Sequence, residues 1–153
     1  MQNSRTGETL APGGSGHLSL VGLPGAGKTT LGRQLAAHFN RPFLDLDAAI
    51  EARTGRSVRE IFAAEGEIHF RALEAEVLRE ALRHPGPPLV LATGGGTPGF
   101  HDNMALLNVA GPTLWLDVPG AVLAARLPPS EVAKRPLIAA AVGQYHRRAV
   151  VCL

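Results

Sequence analysis

The stretch GLPGAGKT, from Gly22 to Thr29, decides how this sequence folds. It fits the pattern G-x-x-x-x-G-K-S/T and lies between a predicted strand over Leu18–Val21 and a predicted helix over Lys28–Phe39. Glycines suit this place because backbone N–H groups have to wrap closely around phosphate oxygens with no Cβ in the way. The alternative is a turn that only tightens the strand–helix junction, and the lysine and threonine argue against it. The stretch therefore predicts a nucleotide-binding site, here called the phosphate loop.

The residues of the phosphate loop have distinct predicted roles. Lys28 brings a positive charge to the β- and γ-phosphates, and Thr29 offers a hydroxyl to Mg²⁺. The N-terminus of the following helix adds its partial positive charge. We predict that the ATP-binding residues of this loop are Gly25, Ala26, Gly27, Lys28, Thr29 and Thr30.

Apolar strands alternate with helical segments along the rest of the chain. Further strands are predicted over 43–46, 89–92 and 113–118, and further helices over 57–64, 67–83, 101–109 and 119–127. Such alternation is typical of a parallel sheet covered by helices. The predicted fold class is therefore α/β, a three-layer sandwich like that of the P-loop NTPases, with a central parallel sheet flanked by helices.

Two of these helices carry clear local signals. Ser57 and Glu60 form the pattern of a capping box at the start of the helix over 57–64. The helix over 67–83 has an apolar face made of Ile68, Phe70, Leu73, Val77, Leu78 and Leu82. The sequence His84-Pro-Gly-Pro-Pro88 ends it.

Length and composition favour one globular domain. The chain has 153 residues, of which 45% are hydrophobic, and 15 Lys+Arg stand against 13 Asp+Glu. Residues 1–16 are polar and glycine-rich and are predicted to form a flexible leader, so the folded domain is expected over 17–153. A single cysteine excludes an internal disulfide framework.

The same composition excludes several classes of partner. No apolar run is long enough for a membrane span, and the first ten residues lack the apolar segment of a secretory signal. The basic residues are scattered rather than gathered into a nucleic-acid footprint. We expect a cytoplasmic monomer that acts on a small molecule, without nucleic-acid or membrane partners.

Two carboxylates follow the second predicted strand. Asp45 and Asp47 lie at the carboxyl end of that strand, where ligands of parallel sheets collect. Alternation along a strand would place both side chains on one side, one within reach of the Mg²⁺ shell and the other of a substrate hydroxyl. The alternative is an ordinary aspartate N-cap for a following helix.

A second group of residues points to an anionic acceptor. Arg71 and Glu74 are neighbours at i and i+3 on a helix, where a surface ion pair is the simplest interpretation. Phe62 and Phe70 could form an apolar wall beside the arginine, and a guanidinium held by a carboxylate can present its fork to an anion. The run Gly94–Gly96 follows the third strand and suits close approach of backbone to a ligand.

Several of these motifs, in this order, resemble those of the shikimate kinase family. The resemblance runs from about residue 18 to about residue 138. The shared motifs are the phosphate loop, Asp45-x-Asp47, Thr54-Gly-Arg56, Gly66-Glu-x-x-Phe-Arg71, Arg71-x-x-Glu74-x-x-x-Leu78, Gly94–Gly96 and Arg135-Pro-Leu137. A phosphate loop is common to many families, whereas the aspartate pair, the Phe-Arg-x-x-Glu stretch and the triple glycine together are specific.

The resemblance implies a transferase that uses ATP and Mg²⁺ to phosphorylate the 3-hydroxyl of shikimate. It implies that Asp47, Arg71 and Gly95 contact shikimate, with Arg71 on its carboxylate, and Glu74 belongs to the same group. Asp47 would orient and deprotonate the attacking hydroxyl.

The resemblance also assigns residues on the phosphate side. Asp45 would support the magnesium shell together with Thr29. Arg135 would lie in a mobile lid over about 128–137, binding ATP and serving with Asp47 and Lys28 as a catalytic group. A solvated basic loop is the alternative for the lid.

The C-terminal part of the sequence departs from the family pattern. Members carry Arg-x-Pro-Leu-Tyr on a later helix, but four residues before Tyr145 this chain has Ala141. Arg147 and Arg148 follow the tyrosine, so the arginine's role is not assigned to them. We expect an incomplete C-terminal strand and helix. Two alternatives stay open: a catalytically impaired nucleotide-binding protein, and a kinase for another small hydroxy acid.

Overall fold

A parallel four-stranded sheet forms the centre of the molecule. The structure, a computed structural model, describes residues 16–126. The strands run in the order β2-β3-β1-β4. They are β1 (Leu18–Val21), β2 (Phe43–Asp45), β3 (Val90–Ala92) and β4 (Thr113–Trp115). Residues 1–15 of the predicted leader, the predicted lid with Arg135, and the predicted C-terminal strand and helix lie outside the described residues.

Five helices of the described region connect and flank these strands. They are α1 (Lys28–His38), α2 (Leu46–Thr54), α3 (Val58–Arg83), α4 (Asn103–Ala110) and α5 (Gly120–Arg126), with a 3₁₀ turn over Thr97–Gly99. The predicted α/β class with a parallel sheet between helices is confirmed. Between residues 16 and 126 no helix has the length and apolar character that crossing a membrane requires.

Side chains along β1 alternate between the two faces of the sheet and contribute to the core on both. Leu18 and Leu20 pack with α1 residues on one face, whereas Val21 joins the larger cluster on the other. In that larger cluster, fully buried side chains of three helices pack with Leu91 of β3: Leu46, Ile50, Ile61, Leu78 and Leu107. The sheet is thus fixed on two sides by apolar burial, the main favourable term in folding.

All strand pairs are parallel, so their carboxyl ends lie at one edge. β3 lies between β1 and β2, although it follows both in the sequence. The loop after β1 is the phosphate loop, and the loop after β3 carries Gly94–Gly96, here called the glycine loop. Adjacent strands therefore place these two loops side by side, where open α/β sheets bind ligands.

The second strand is shorter than predicted, and a helix follows it directly. β2 ends at Asp45, and Leu46 already belongs to α2. The predicted alternation of Asp45 and Asp47 along one strand is therefore wrong. Asp45 caps the helix instead, since its Oδ1 accepts hydrogen bonds from the backbone N–H groups of Asp47 at 3.1 Å and Ala48 at 3.3 Å.

The long helix α3 joins the two predicted helices through a kink. The predicted capping box is confirmed, with Ser57 Oγ accepting from the Glu60 N–H and Glu60 Oε2 accepting from the Ser57 N–H. Gly66 has φ 80° and ψ 175°, a combination that a side chain would strain. Ile68 is 89% exposed, so its predicted place on the apolar face is wrong.

Candidate active site

The phosphate loop is closed around the side chain of Lys28. Gly27 precedes α1 with φ 97° and ψ 20°, a left-handed conformation that turns the chain into the helix. Lys28 Nζ donates to the carbonyl oxygens of Gly22 at 2.7 Å and Leu23 at 2.9 Å, and the residue is only 8% exposed. The loop therefore holds the ammonium group at its own centre.

The side chains of Thr29, in the first turn of α1, and Asp45, at the end of β2, are in contact. Thr29 Oγ1 donates to Asp45 Oδ2 at 2.7 Å. Hydroxyl and carboxylate oxygens are ligands that Mg²⁺ prefers, and Mg²⁺ is usually held by one or two protein groups together with substrate phosphates. Across residues 16–126 no group of three or more His, Cys, Asp or Glu side chains is arranged around a metal position. The donor pair thus fits Mg²⁺ bound jointly with a nucleotide.

Asp47 lies in the first turn of α2, beside other carboxylates. Its pKa is raised from 3.8 to about 6. Burial is the largest cause, and the negative charges of Asp45 and Glu74 act in the same direction. The positive charge of Lys28 acts against this rise in pKa. A carboxyl group with this pKa is suited to take up a proton near neutral pH.

The Arg71–Glu74 pair is buried in the base of the site. Arg71 is 6% exposed and Glu74 is fully buried, and Arg71 Nη1 donates to Glu74 Oε2 at 3.0 Å. On its other side the guanidinium donates through Nε and Nη2 to Oε1 of the half-exposed Glu67, at 3.4 Å and 3.3 Å. The interpretation as a surface ion pair is therefore wrong.

Three aromatic rings surround the Arg71 guanidinium. Its Cζ lies 5.7 Å from the ring centroid of Phe62 and 5.3 Å from that of Phe70, so the predicted wall is confirmed. The ring of Phe100 lies nearer, at 4.2 Å, and was not predicted. Rings at these distances stabilise the cation and restrict its movement.

The glycine loop passes close to both groups of residues. A Cβ on Gly94 would lie 3.1 Å from Asp47 Oδ1 and 3.1 Å from Glu74 Oε1. A Cβ on Gly96 would lie 2.5 Å from Arg71 Nη2, and one on Gly95 would lie 2.7 Å from Pro24 Cγ in the phosphate loop. The loop therefore brings the Asp47 carboxyl, the Arg71–Glu74 pair and the phosphate loop into one site.

Known proteins are similar to this chain in sequence and in fold. The shikimate kinase family model matches residues 24–150. A shikimate kinase of Phocaeicola vulgatus is 47% identical over 122 residues, which cover 78% of this chain and 67% of that protein. A crystal structure of shikimate kinase from Bacteroides thetaiotaomicron superposes with a TM-score of 0.76 at 39% identity, covering 87% of this chain and 79% of that one. The chain belongs to the shikimate kinase family.

A second solved member of the shikimate kinase family is also similar to this chain. The shikimate kinase from Acinetobacter baumannii, solved in complex with shikimate, has a TM-score of 0.72 and 41% identity, covering 80% of this chain and 66% of that one. The present chain spans about two thirds of the length of the curated shikimate kinases it matches, 67% and 65% for two of them.

Most residues that the shikimate kinase resemblance assigned lie at the sheet edge just described. The two acidic positions, Asp45 and Asp47, flank the start of α2, and Arg71, Glu74 and Gly95 meet at the glycine loop. Gly25 to Thr29 lie in the phosphate loop, and Thr30 follows in the first turn of α1. Arg135 lies outside the described residues, so its roles stay predictions.

Three residues at this shikimate kinase site were missed in the sequence. Phe100 and Thr97 lie in the segment after the glycine loop, where no periodic pattern marks a side chain as inward-facing. Arg126, at the end of α5, donates through Nη1 to the carbonyl oxygen of Gly25 at 3.2 Å. This contact joins residues that are 101 positions apart, which no local pattern could reveal.

Proposed function

We propose that this protein transfers the γ-phosphoryl group of ATP to the 3-hydroxyl of shikimate, giving shikimate 3-phosphate. The observation that carries the proposal is the convergence at the glycine loop. There a proton-accepting carboxyl, Asp47, and a buried, carboxylate-paired guanidinium, Arg71, both lie against the glycine loop, which in turn lies close to the phosphate loop. An acceptor with both a hydroxyl and a carboxylate matches this pair of groups.

The acceptor carboxylate is assigned to Arg71. An arginine fork binds a carboxylate through two parallel hydrogen bonds, and burial strengthens them. Its Nη1 is committed to the buried Glu74, whereas the edge formed by Nε and Nη2 makes longer contacts with the half-exposed Glu67. That edge is open to exchange with a ligand, since Glu67 can turn into solvent. The shikimate complex of the Acinetobacter baumannii relative supports this acceptor.

Asp47 is assigned to the attacking hydroxyl. In the transfer step the hydroxyl oxygen bonds to the γ-phosphorus, the bridging P–O bond to ADP breaks, and the hydroxyl proton passes to Asp47. Its pKa of about 6 allows it to start ionised at neutral pH and to accept that proton. The other contribution of the chain is positioning, because phosphoryl transfer depends mainly on alignment and charge stabilisation.

The donor side is assigned to the phosphate loop. Lys28 would place its ammonium group against the β- and γ-phosphates, in exchange for its present contacts with loop carbonyls. Thr29 and Asp45 would hold Mg²⁺, which supplies charge neutralisation between the phosphates when bound. Arg135 in the lid would add a second cation. We further propose that the enzyme acts as a monomer in the cytoplasm, where ATP is available.

Coupled detection of ADP tests the proposal. The full chain is mixed with ATP and Mg²⁺, and ADP release is followed with and without shikimate. Shikimate-dependent release, with the product identified as the 3-phosphate by NMR, is the expected result. Tight ATP binding without such release would favour the impaired nucleotide-binding protein instead. Turnover with another hydroxy acid, but not with shikimate, would favour a different acceptor.

A further inference from the structure

Thr97 is buried next to Glu74, the carboxylate that pairs with Arg71. Its side chain is fully buried, and Oγ1 donates a 2.6 Å hydrogen bond to Oε1 of Glu74, which is also fully buried. The same hydroxyl oxygen lies 3.0 Å from the Cβ position of Gly94, a position that Asp47 Oδ1 also approaches. Thr97 therefore lies behind the groups that face the acceptor, without being accessible to the acceptor itself.

The two oxygens of Glu74 link Thr97 to Arg71. Oε1 accepts from Thr97, and Oε2 accepts from Arg71 Nη1 at 3.0 Å. Because a carboxylate is rigid and planar, fixing one oxygen fixes the direction in which the other faces the guanidinium. Without the threonine donor, a buried carboxylate oxygen would lose its hydrogen bond, and the carboxylate would be free to rotate or draw Arg71 inward.

Thr97 is itself held by the backbone around it. Asn103 Nδ2, at the start of α4, donates to the Thr97 carbonyl oxygen at 3.0 Å. The Thr97 N–H donates to the Gly94 carbonyl oxygen at 3.3 Å. The hydroxyl is thus presented from a fixed turn, as a group that orients another group has to be.

We propose that Thr97 is a positioning residue for recognition of the acceptor carboxylate, acting through Glu74 on Arg71. The inference rests on the proposed function, since it takes the carboxylate of the acceptor to bind Arg71. It predicts that loss of the Thr97 hydroxyl weakens acceptor binding while leaving nucleotide binding unchanged. A purely structural role would instead lower stability and leave the affinity for the acceptor as it is.

Thr93 offers a matched control at the other end of the glycine loop. It is also buried, at 4% exposure, and its Oγ1 also makes a hydrogen bond, donating to the carbonyl oxygen of Leu20 at 3.0 Å. The Leu20 carbonyl oxygen also accepts from the backbone N–H of residue 93, so it stays paired when the hydroxyl is removed. The lost hydrogen bond joins residue 93 to β1 and does not involve Arg71. Thr93→Val therefore makes the same chemical change as Thr97→Val, at a place without a link to the acceptor.

Calorimetric titration of the full-length protein measures the effect independently of turnover. For Thr97→Val we expect the Kd for shikimate to rise about tenfold and the Kd for ATP to change less than twofold, as for loss of a group that orients a ligand-binding residue. Thr97→Ser keeps the donor and should restore the Kd for shikimate to within threefold of wild type. Thr93→Val should lower Tm and leave both Kd values unchanged.

The outcomes separate this inference from the proposed function. Equal shikimate affinities of Thr97→Val and Thr93→Val would overturn the inference, and so would failure of Thr97→Ser to restore the affinity. If Thr97→Val does not fold, Thr97→Ala and Thr97→Ser make the same comparison. Wild-type protein that binds shikimate but releases no ADP would contradict the proposed function only. Wild-type protein that does not bind shikimate would overturn both.

Discussion

Asp45 accepts the hydroxyl hydrogen bond of Thr29 with the same carboxylate that caps helix α2. Asp45 Oδ2 accepts the Thr29 hydroxyl hydrogen bond at 2.7 Å, while Oδ1 accepts two backbone N–H groups at the start of α2. The sequence left two interpretations for Asp45, an N-cap or a ligand of the magnesium shell. Its geometry is compatible with both. The two roles make different demands, because a cap needs an acceptor oxygen whereas Mg²⁺ needs negative charge.

Two substitutions at Asp45 should separate these roles. Asp45→Asn keeps an acceptor oxygen for the cap, so we expect its free energy of unfolding to stay within about 0.5 kcal/mol of wild type. Asp45→Ala removes the cap and should lower that free energy by about 1 kcal/mol. Both variants should need several times more Mg²⁺ for half-maximal ADP release. Urea unfolding and magnesium titration check the two effects, and an unchanged magnesium requirement would remove Asp45 from the metal site.

Asp47→Asn should abolish most phosphoryl transfer and retain ATP binding. The amide can hydrogen-bond the acceptor hydroxyl but cannot take up its proton, so we expect kcat to fall by about 10²- to 10⁴-fold. The Kd for ATP should change only a few-fold. Steady-state kinetics and calorimetry measure the two quantities. A collapse of nucleotide binding would assign Asp47 to the magnesium shell or to the fold instead.

The same variant should be more stable than wild type in metal-free solution at alkaline pH. Folding raises the pKa of Asp47 from 3.8 to about 6, so the ionised carboxylate destabilises the folded state above about pH 6. The stability deficit of wild type relative to Asp47→Asn should reach about 2–3 kcal/mol at pH 8 and shrink as the pH falls from 6 toward 4. Thermal unfolding in chelator at several pH values measures it, and a pH-independent difference would contradict the prediction.

Arg71→Lys should weaken acceptor binding selectively. An ammonium group cannot reproduce the bidentate fork, so we expect the KM for shikimate to rise by about 10- to 100-fold with little change in the KM for ATP. Arg53→Lys is the matched control, since Arg53 also pairs with two glutamates, Glu76 and Glu80, but on the outer faces of α2 and α3. If Arg71→Lys and Arg53→Lys have the same KM for shikimate, another cation binds the acceptor carboxylate.

Gly96→Ala should displace the Arg71 guanidinium. The backbone at Gly96 has φ −98°, which alanine adopts readily, so the effect is steric contact with Nη2 at 2.5 Å. We expect the KM for shikimate to rise at least tenfold while the protein stays folded. Gly99→Ala is the control, because a Cβ there meets no atom within 4 Å. Equal kinetics of the two variants would show that Arg71 can move aside without loss.

The sequence predicted those parts of the fold and site that depend on local pattern. The phosphate loop, the capping box at Ser57 and the alternation of strands and helices were all recognisable because each follows from neighbouring residues. The parallel sheet also marked Asp45, Asp47 and Gly94–Gly96 as site candidates, because each follows the carboxyl end of a predicted strand. Helix α2 was missed because the apolar run ending at Leu46 continues the strand pattern, although Leu46 and Ile50 are spaced for a helix.

The rest of the site depends on contacts between distant segments. Nothing in an i, i+3 spacing indicates that Arg71 and Glu74 are buried, since burial comes from Phe100 and Thr97 in a later loop. For the same reason the surface ion pair was a reasonable but wrong alternative. The contacts of Thr97 with Glu74 and of Phe100 with Arg71 follow only from the folded structure.

Gly95 in the glycine loop lies close to Pro24 in the phosphate loop. A Cβ on Gly95 would overlap the Pro24 ring, so the backbone of the glycine loop approaches the phosphate loop closely at this point. A ligand that ordered one loop would, through this contact, reduce the conformational entropy that the other loop loses when its own ligand binds. Such coupling is reciprocal. The factor by which ATP tightens the binding of the acceptor must equal the factor by which the acceptor tightens the binding of ATP.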